Sequence, residues 1–179
     1  METKRIFTSI DLPPGVKNYL QGLQNPQIRW IKWMSPDNFH ITLNFLGDLD
    51  QSEIETAKQV LNDTIVFYKP FPIQIIQAQP ERDMLWLILE VDENLYKLHR
   101  ELLENFRAAR IGKRERRSYA PHVLLGKSKT GRTMTWRPEE FVTQNFLVDR
   151  INLYESQLTP ERATHILIQS FPMTPTAVV

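Results

Sequence analysis

The order in which strand-like and helix-like segments follow one another constrains the fold of this chain more than any other feature. Apolar periodicity and turn residues predict, from the amino end, a strand, a helix, a strand, a helix, two strands, a helix and three strands. A doubly wound parallel sheet would need strict alternation, because parallel neighbours are joined through a helical crossover. Strands that follow one another directly favour antiparallel pairing instead. We therefore predict an α+β fold with mostly antiparallel sheets.

Turn residues bound the predicted elements. The strands cover residues 6–10, 39–46, 72–79, 84–90, 119–127, 146–155 and 164–171, and the helices cover 14–23, 52–67 and 92–109. Gly47 and Asp48 are predicted to end the second strand, and residues 80–83 to connect a hairpin. Period-two alternation in the second strand predicts two opposite faces, an apolar one with Ile41, Leu43 and Phe45 and a polar one with His40, Thr42 and Asn44.

Composition limits the functions open to the chain. Its 179 residues, 41% of them hydrophobic, suit one core, and we expect a single domain over residues 1–179. With 22 basic and 21 acidic residues, any anion site must be local. The absence of cysteine excludes thiolate catalysis and cysteine-ligated metals and suits a reducing cytoplasm. There is no recognisable signal peptide and no apolar run near the roughly 20 residues that cross a bilayer, so we expect a cytoplasmic protein without a membrane partner.

Two of the four histidines lie in extended segments that share a local pattern. The first segment is Asn38-Phe-His40-Ile-Thr-Leu and the second is Ala120-Pro-His122-Val-Leu-Leu. In the first, the His40 imidazole and the Thr42 hydroxyl fall on one face, roughly 7 Å apart along the strand. This spacing suits one phosphate, because the hydroxyl can hold a non-bridging oxygen while the imidazole reaches a bridging oxygen.

With these segments the chain resembles the 2H phosphoesterase superfamily, which is named for two His-x-Thr/Ser motifs. Within it, the chain is similar to the bacterial and archaeal RNA 2',3'-cyclic phosphodiesterases once described as 2'-5' RNA ligases. The matching segments span nearly the whole chain: Arg5-Ile-Phe-Thr-Ser-Ile-Asp-Leu-Pro13, Trp33, Asn38-Phe-His-Ile-Thr-Leu-Asn-Phe-Leu-Gly47, Tyr119-Ala-Pro-His-Val-Leu-Leu-Gly-Lys127, Ile151-Asn-Leu-Tyr-Glu-Ser156 and Ile168-Gln-Ser-Phe-Pro-Met173. The resemblance implies two similar lobes, each a mostly antiparallel sheet with helices on its outer face, and an active cleft between the lobes.

The resemblance also implies a reaction, the hydrolysis of 2',3'-cyclic phosphate ends on RNA or small nucleotides to 2'-phosphomonoesters. His40 would be the general acid that protonates the 3' oxygen, and His122 the general base that activates water. An unperturbed histidine pKa of about 6.5 lets one imidazole be neutral while the other is protonated. The mechanism therefore requires no cofactor and no metal, and two histidines without an acidic cluster make a weak metal site. We expect the protein to act as a monomer.

The second motif departs from the family pattern. Leu124 stands where a Thr or Ser would share the face of His122, and Ser128, on the same parity, lies roughly 20 Å further along an ideal strand. Lys127 stands where the family commonly has Arg, and we expect it to bind the phosphate as a point charge beside the Thr42 hydroxyl. Losing one hydrogen bond, on the order of 1 kcal/mol, predicts weakened turnover. Two alternatives stay open: an RNA-end binding protein with weak or lost turnover, and a 2'-5' RNA ligase using the reverse reaction.

Other residues have simpler structural explanations. The basic run Lys113-Arg-Glu-Arg-Arg117 before the second motif either guides an RNA backbone or is a solvated loop. His99 lies in the third predicted helix and is assigned no chemistry, whereas His165 is expected to pack or to shape the cleft. Core packing is favoured over stacking on a base for three aromatic residues, Trp33, Phe45 and Trp136.

Overall fold

The structure, a computed structural model, describes residues 2–91, 93–112, 118–159 and 163–174. The strands are β1 (Lys4–Asp11), β2 (Ile31–Trp33), β3 (His40–Leu49), β4 (Phe71–Glu81), β5 (Met84–Val91), β6 (His122–Ser128), β7 (Gln144–Val148), β8 (Arg150–Leu158) and β9 (Ala163–Pro172). The helices are α1 (Pro14–Gly22), α2 (Gln51–Ile65) and α3 (Glu93–Ala108), with a 3-10 turn at Pro36–Asn38. None of the helices in the described ranges is long and apolar enough to cross a membrane.

The strands form two sheets, and every pairing is antiparallel. The first sheet has the order β3-β1-β8-β9, and the second has the order β2-β6-β5-β4-β7. The sheets adjoin where β3 contacts β6, so the two histidine strands meet at their junction. One cluster of buried apolar residues draws on both sheets, and α2 and α3 pack on each other and on β3. The prediction of an α+β fold with antiparallel sheets is confirmed.

Several predicted boundaries are wrong, and the strand predicted at 119–127 begins only at His122. The strand predicted at 146–155 is two strands, β7 and β8, which belong to different sheets and are separated at Asp149. The strand predicted to end at Gly47 continues to Leu49, because Gly47 takes a φ of 84°, which glycine adopts readily, within a run of pairs with β1. Pro80 still pairs with Leu85, so the hairpin turn is shorter than residues 80–83. The three-residue strand β2 was not predicted.

Helix α2 begins at Gln51, one residue before the predicted range of 52–67. The N-cap is Asp50, whose Oδ1 accepts a hydrogen bond from the Glu53 amide at 2.9 Å, while Glu53 Oε2 accepts one from the Asp50 amide at 2.8 Å. This reciprocal pair satisfies two backbone donors that a helix start leaves open. Asp50 is therefore a structural residue that ends the β3–α2 connection.

Both histidine strands carry a β-bulge at the same distance from the histidine. In β3, Thr42 and Asn44 oppose the adjacent residues Ser9 and Thr8, so that Leu43 is the extra residue. In β6, the residues before and after Leu125 oppose adjacent residues of β5 in the same way. An extra residue reverses the alternation of side chains beyond it. The burial of the seven residues from each histidine onward therefore follows one common pattern in the two strands.

The bulges overturn three face assignments. Phe45 is 60% exposed, and Asn44 is buried with its side chain beside Thr8, opposite to the predicted placement of both. Ser128 is buried rather than on the face of His122. Period-two alternation holds only up to the bulge, so the first two positions of each motif were placed correctly and the later ones were reversed.

Candidate active site

A cavity of about 270 Å³ lies at the junction of the two sheets and contains both motif histidines. It is lined by Arg5, Phe7, Met34, Asn38, His40, Thr42, Phe45, His122, Leu124, Ser156, Leu158, Ala163 and His165. A neighbouring cavity of similar volume shares three of these residues, Thr42, Phe45 and His122, and adds the aromatic side chains of Trp86 and Tyr119. His122 therefore stands at the boundary between a histidine-rich cavity and an aromatic one.

His40 is fixed by two hydrogen bonds within its own motif. Its Nδ1 lies 2.8 Å from the backbone carbonyl oxygen of Asn38, and its Nε2 lies 3.1 Å from the Thr42 hydroxyl oxygen. A carbonyl oxygen only accepts, so Nδ1 donates and Nε2 is the basic nitrogen of the neutral ring. The predicted pairing of imidazole and hydroxyl on one face is thus present, and both groups line the cavity.

His122 repeats this backbone arrangement. Its Nδ1 donates to the carbonyl oxygen of Ala120 at 2.8 Å, again two residues before the histidine, which leaves Nε2 as the basic nitrogen. Trp86 of β5 stacks on the His122 ring with the centroids 3.8 Å apart and the planes within 7°. A stacked indole restricts the rotation of the imidazole and stabilises its protonated form.

The bulge next to Thr42 is held by residues that do not line the histidine cavity. His99 of α3 donates from Nδ1 to the Leu43 carbonyl oxygen at 2.9 Å, and the Tyr119 hydroxyl donates to the Thr42 carbonyl oxygen at 3.0 Å. The rings of His99 and Tyr119 stack with their centroids 3.8 Å apart. His99 is therefore a buried structural residue that supports the geometry of the first motif.

Burial lowers the pKa of both motif histidines. The pKa of His40 falls to about 4, first because burial disfavours the charged ring and second because His165 lies nearby; Lys17 and His122 add smaller repulsions. The pKa of His122 is also lowered, again mainly by burial. Hydrogen bonds from Nδ1 to a backbone carbonyl oppose these shifts of the pKa in both rings. Both imidazoles are consequently neutral near pH 7 when the cavity holds no anion.

The remaining predicted residues of the second motif contribute differently. Leu124 lines the cavity, as the parity argument predicted, and presents no hydroxyl there. Lys127 does not line it, and its ammonium lies 3.5 Å from the Asp83 carboxylate on the β4–β5 turn. The structure thus brings together His40, Thr42 and His122 but directs Lys127 toward an ion pair outside the cavity.

The aromatic candidates for nucleic-acid contact lie in different surroundings. Trp33 and Trp136 pack edge to face, with centroids 5.1 Å apart, against the core. Phe45 instead lines both cavities, because the bulge turns its ring away from the core. The basic run at 113–117 lies outside the described residues.

His165 lies in the cavity beside His40. Its ring lies 5.0 Å from that of His40, at 76° to it, and 4.9 Å from that of Phe7. Burial lowers the pKa of His165, and the Asp11 carboxylate opposes that shift. This agrees with the expectation that His165 packs or shapes the cleft, and the pairing of β8 with β9 is what brings the residue to the cavity.

Within residues 2–91, 93–112, 118–159 and 163–174, no three His, Asp or Glu side chains lie close enough together to hold a metal ion.

Curated relatives match this chain over most of its length. The RNA 2',3'-cyclic phosphodiesterase of Methanothermobacter thermautotrophicus is 28% identical over 170 residues, which is 87% of this chain and 91% of that protein. The protein of the same name from Methanocaldococcus jannaschii is 27% identical over 177 residues, which is 93% of this chain and 99% of that protein.

Solved structures share the fold. A protein of Thermus thermophilus superposes with a TM-score of 0.81 at 21% identity, over 94% of this chain and 97% of that one. Escherichia coli LigT in complex with 3'-AMP superposes with a TM-score of 0.77 at 19% identity, over 97% and 99%. The family model described as the 2'-5' RNA ligase superfamily matches residues 32–160, well over half of the chain. The chain therefore belongs to the 2'-5' RNA ligase superfamily.

Proposed function

We propose that this protein hydrolyses 2',3'-cyclic phosphate ends of RNA or small nucleotides to 2'-phosphomonoesters. The observation that carries the proposal is the pair of motif histidines in one cavity, each with Nδ1 bound to the carbonyl two residues before it. Two imidazoles of fixed tautomer in one small cavity can divide acid and base roles across a single phosphate. Relatives that carry the name RNA 2',3'-cyclic phosphodiesterase over most of this chain support the same reaction.

In the proposed reaction, His122 Nε2 accepts a proton from water as the water oxygen attacks phosphorus. His40 Nε2, protonated, transfers its proton to the 3' oxygen as the bond from phosphorus to that oxygen breaks. The Thr42 hydroxyl donates to a non-bridging oxygen, where negative charge increases in the transition state. Its distance of 3.1 Å from His40 Nε2 supports a shared phosphate for the two groups.

The lowered pKa of His122 suits its proposed role as the base. The lowered pKa of His40 suits its proposed role as the acid only when substrate is bound. A neutral His122 is ready to accept a proton near pH 7. His40 must be protonated, and its pKa of about 4 applies to the cavity without an anion. A bound phosphodiester carries a negative charge beside the ring, which favours the protonated imidazole and raises its pKa. Substrate binding therefore charges the acid in this proposal.

The aromatic cavity suits the nucleoside that carries the phosphate. Phe45, Trp86 and Tyr119 line it, and aromatic rings bind bases by stacking with little dependence on sequence. Because this cavity meets the histidine cavity at Thr42 and His122, a base in one leaves its ribose phosphate beside the other. Escherichia coli LigT, which shares the fold, has been solved in complex with 3'-AMP, a nucleotide of the size proposed here.

The test is hydrolysis of an RNA oligonucleotide that ends in a 2',3'-cyclic phosphate, in the presence of a chelator. We expect a 2'-phosphate product, and a loss of about two orders of magnitude or more in kcat for His40→Ala and for His122→Ala. Phe67→Ala, which removes an 81% exposed ring, is the control and should keep full activity. An intact cyclic phosphate after incubation with the wild-type protein between pH 4 and 8 would contradict the proposal.

A second candidate is an RNA-end binding protein with weak turnover. It is favoured by Leu124, which leaves the cavity without a second motif hydroxyl, and by the position of Lys127 outside the cavity lining. Tight binding of the cyclic end without product would support it. A joined product in an assay that supplies both RNA ends would support the reverse reaction, 2'-5' ligation, through the same two histidines.

A further inference from the structure

The histidine cavity contains a third imidazole that the proposed acid–base pair does not use. His165 of β9 lines it together with His40 and His122. The His165 and His40 rings meet edge to face with their centroids 5.0 Å apart. A phosphate bound to His40 Nε2 thus lies within reach of a second imidazole on the same side of the cavity.

Asn38 ties the positions of these two histidines together. Its backbone carbonyl holds His40 Nδ1, and its side-chain amide donates to the Ala163 carbonyl oxygen at 3.0 Å. Ala163 begins β9 two residues before His165. One residue therefore fixes the tautomer of His40 and the start of the strand that carries His165.

The surroundings of His165 provide a partner for its charged form. The Asp11 carboxylate acts on His165 and accepts a hydrogen bond from the Tyr154 hydroxyl at 2.6 Å. The charged and titratable groups around the ring are Asp11 and Arg5 of β1, His40 of β3, His122 of β6 and Tyr154 of β8, with Lys17 of α1 acting on His40. A phosphate in the cavity would add the negative charge that favours a proton on His165.

We propose that His165 donates a hydrogen bond to the substrate phosphate and thereby supplies the donor that Leu124 lacks. The inference rests on the proposed function. Leu124 and His165 line the same cavity of about 270 Å³ from different sheets, so a phosphate there is accessible to both positions. Thr42 is the hydroxyl that the first motif supplies, and a phosphodiester has two non-bridging oxygens to bind. His165 serves the second oxygen.

Proton NMR titration tests the contact without turnover. Each of the four histidines is titrated from pH 4 to 8 with and without adenosine 2'-phosphate, the product class, and signals are assigned through single His→Gln variants. We expect the nucleotide to raise the pKa of His165 as well as those of His40 and His122, and to leave His99 unchanged. A His165 titration that the nucleotide does not alter, with His40 and His122 shifted, would overturn the inference.

Kinetics of a double-mutant cycle test the compensation for Leu124. His165→Phe keeps a ring against Phe7 but removes the donor, and we expect KM for a cyclic nucleotide to rise about tenfold with a smaller change in kcat. Leu124→Thr should recover most of this loss in the His165→Phe background and give only about a two- to threefold gain alone. Ile166→Ala, at an exposed neighbouring position, is the control and should match the wild type.

The outcomes separate this inference from the proposed function. If the wild-type protein hydrolyses the cyclic phosphate but His165→Phe has the wild-type KM, or Leu124→Thr gives equal gains in both backgrounds, only the role of His165 fails. If the wild-type protein has no hydrolase activity, the proposed function fails, and the NMR titration still decides whether His165 contacts a bound phosphate. Thermal unfolding of each variant shows whether it is folded.

Discussion

Strands β3 and β6 share one backbone plan and carry different side chains on it. In both, a histidine is held by the carbonyl two residues earlier, and a bulge follows three residues later. The extra carbonyls find partners by different routes, since Leu43 accepts from His99 Nδ1 and Leu125 accepts from the Met34 amide. The backbone thus places a basic nitrogen twice, and the neighbouring side chains decide what each nitrogen does.

The side chains differ at several matching positions, two of which bear on the cavities. Two residues after the histidine, β3 has Thr42 and β6 has Leu124; five residues after it, β3 has Phe45 and β6 has Lys127. Of the second pair, Phe45 lines both the histidine and the aromatic cavity, and Lys127 lines neither. In the proposed function, the first strand therefore supplies phosphate and aromatic contacts, whereas the second supplies mainly its histidine.

The largest expected effect is the loss of kcat on removal of either histidine, and it can separate the acid from the base. His40→Ala and His122→Ala should each lower kcat by about 10² to 10⁴-fold on a normal cyclic phosphate. A substrate with sulfur in place of the bridging 3' oxygen needs no protonation of its leaving group. It should restore His40→Ala toward wild-type rates and leave His122→Ala slow. Restoration of His122→Ala instead would reverse the two roles.

The dependence of kcat/KM on pH tests the lowered pKa values of His40 and His122. For kcat/KM, which reports the free protein, one histidine must be protonated and the other neutral. Because both pKa values are lowered, that of His40 to about 4, the maximum should lie between about pH 4 and 6.5, and the rate should fall about tenfold per pH unit above it. A maximum at or above pH 7 would show that the free cavity does not depress both groups.

The folded fraction must be followed in that experiment. A histidine with a depressed pKa in the folded state destabilises the fold as the pH falls below the unfolded value of about 6.5, because the unfolded chain then binds the proton more readily. For His40 this loss continues until the pH reaches its folded-state pKa of about 4. Thermal unfolding at each pH separates that loss from the titration of the reacting groups.

The hydroxyl of Thr42 provides the next prediction, with a matched control in the other strand. Thr42→Val removes a phosphate donor at nearly constant volume, and we expect kcat/KM to fall about tenfold. Leu124→Val changes the shape of the matching position without removing a donor and should stay within about threefold of the wild type. Equal effects of the two variants would mean that packing, not the hydroxyl, matters at these positions.

The smallest effect is expected at Lys127. Its ammonium pairs with Asp83 at the surface, so Lys127→Met should lower kcat/KM by no more than about threefold. Asp83→Asn frees the lysine from this ion pair and is the comparison variant. A loss of about tenfold in Lys127→Met, strengthened at low salt, would show that the side chain moves to the phosphate when substrate binds.

Sequence patterns placed the motif side chains correctly because these residues precede the bulges in their strands. His40, Thr42, His122 and Leu124 occupy the first two cavity positions of their motifs, where period-two alternation holds. Phe45 could not be placed in the same way, since one extra residue in the pairing reverses the faces and leaves no mark in composition.

Other differences arise from pairing between distant segments. Residues 144–158 contain no glycine or proline to announce a change of sheet, so the division at Asp149 was not predicted. His165 was expected to pack or to shape the cleft, but its place beside His40 depends on the register of β8 with β9, where Ser156 pairs with His165. Register is set by tertiary contacts, which a single sequence does not display.

The bulge at Leu43 gives β3 a backbone carbonyl that accepts a hydrogen bond from α3. Deleting this one residue would let β3 pair with β1 without interruption. Asn44 and Phe45 would stay on their present faces, because Asn44 already pairs with Thr8 and Phe45 with Phe7. The deletion would instead remove the carbonyl oxygen that accepts from His99 Nδ1, so a more regular sheet would lose a hydrogen bond between α3 and the strand that carries His40 and Thr42.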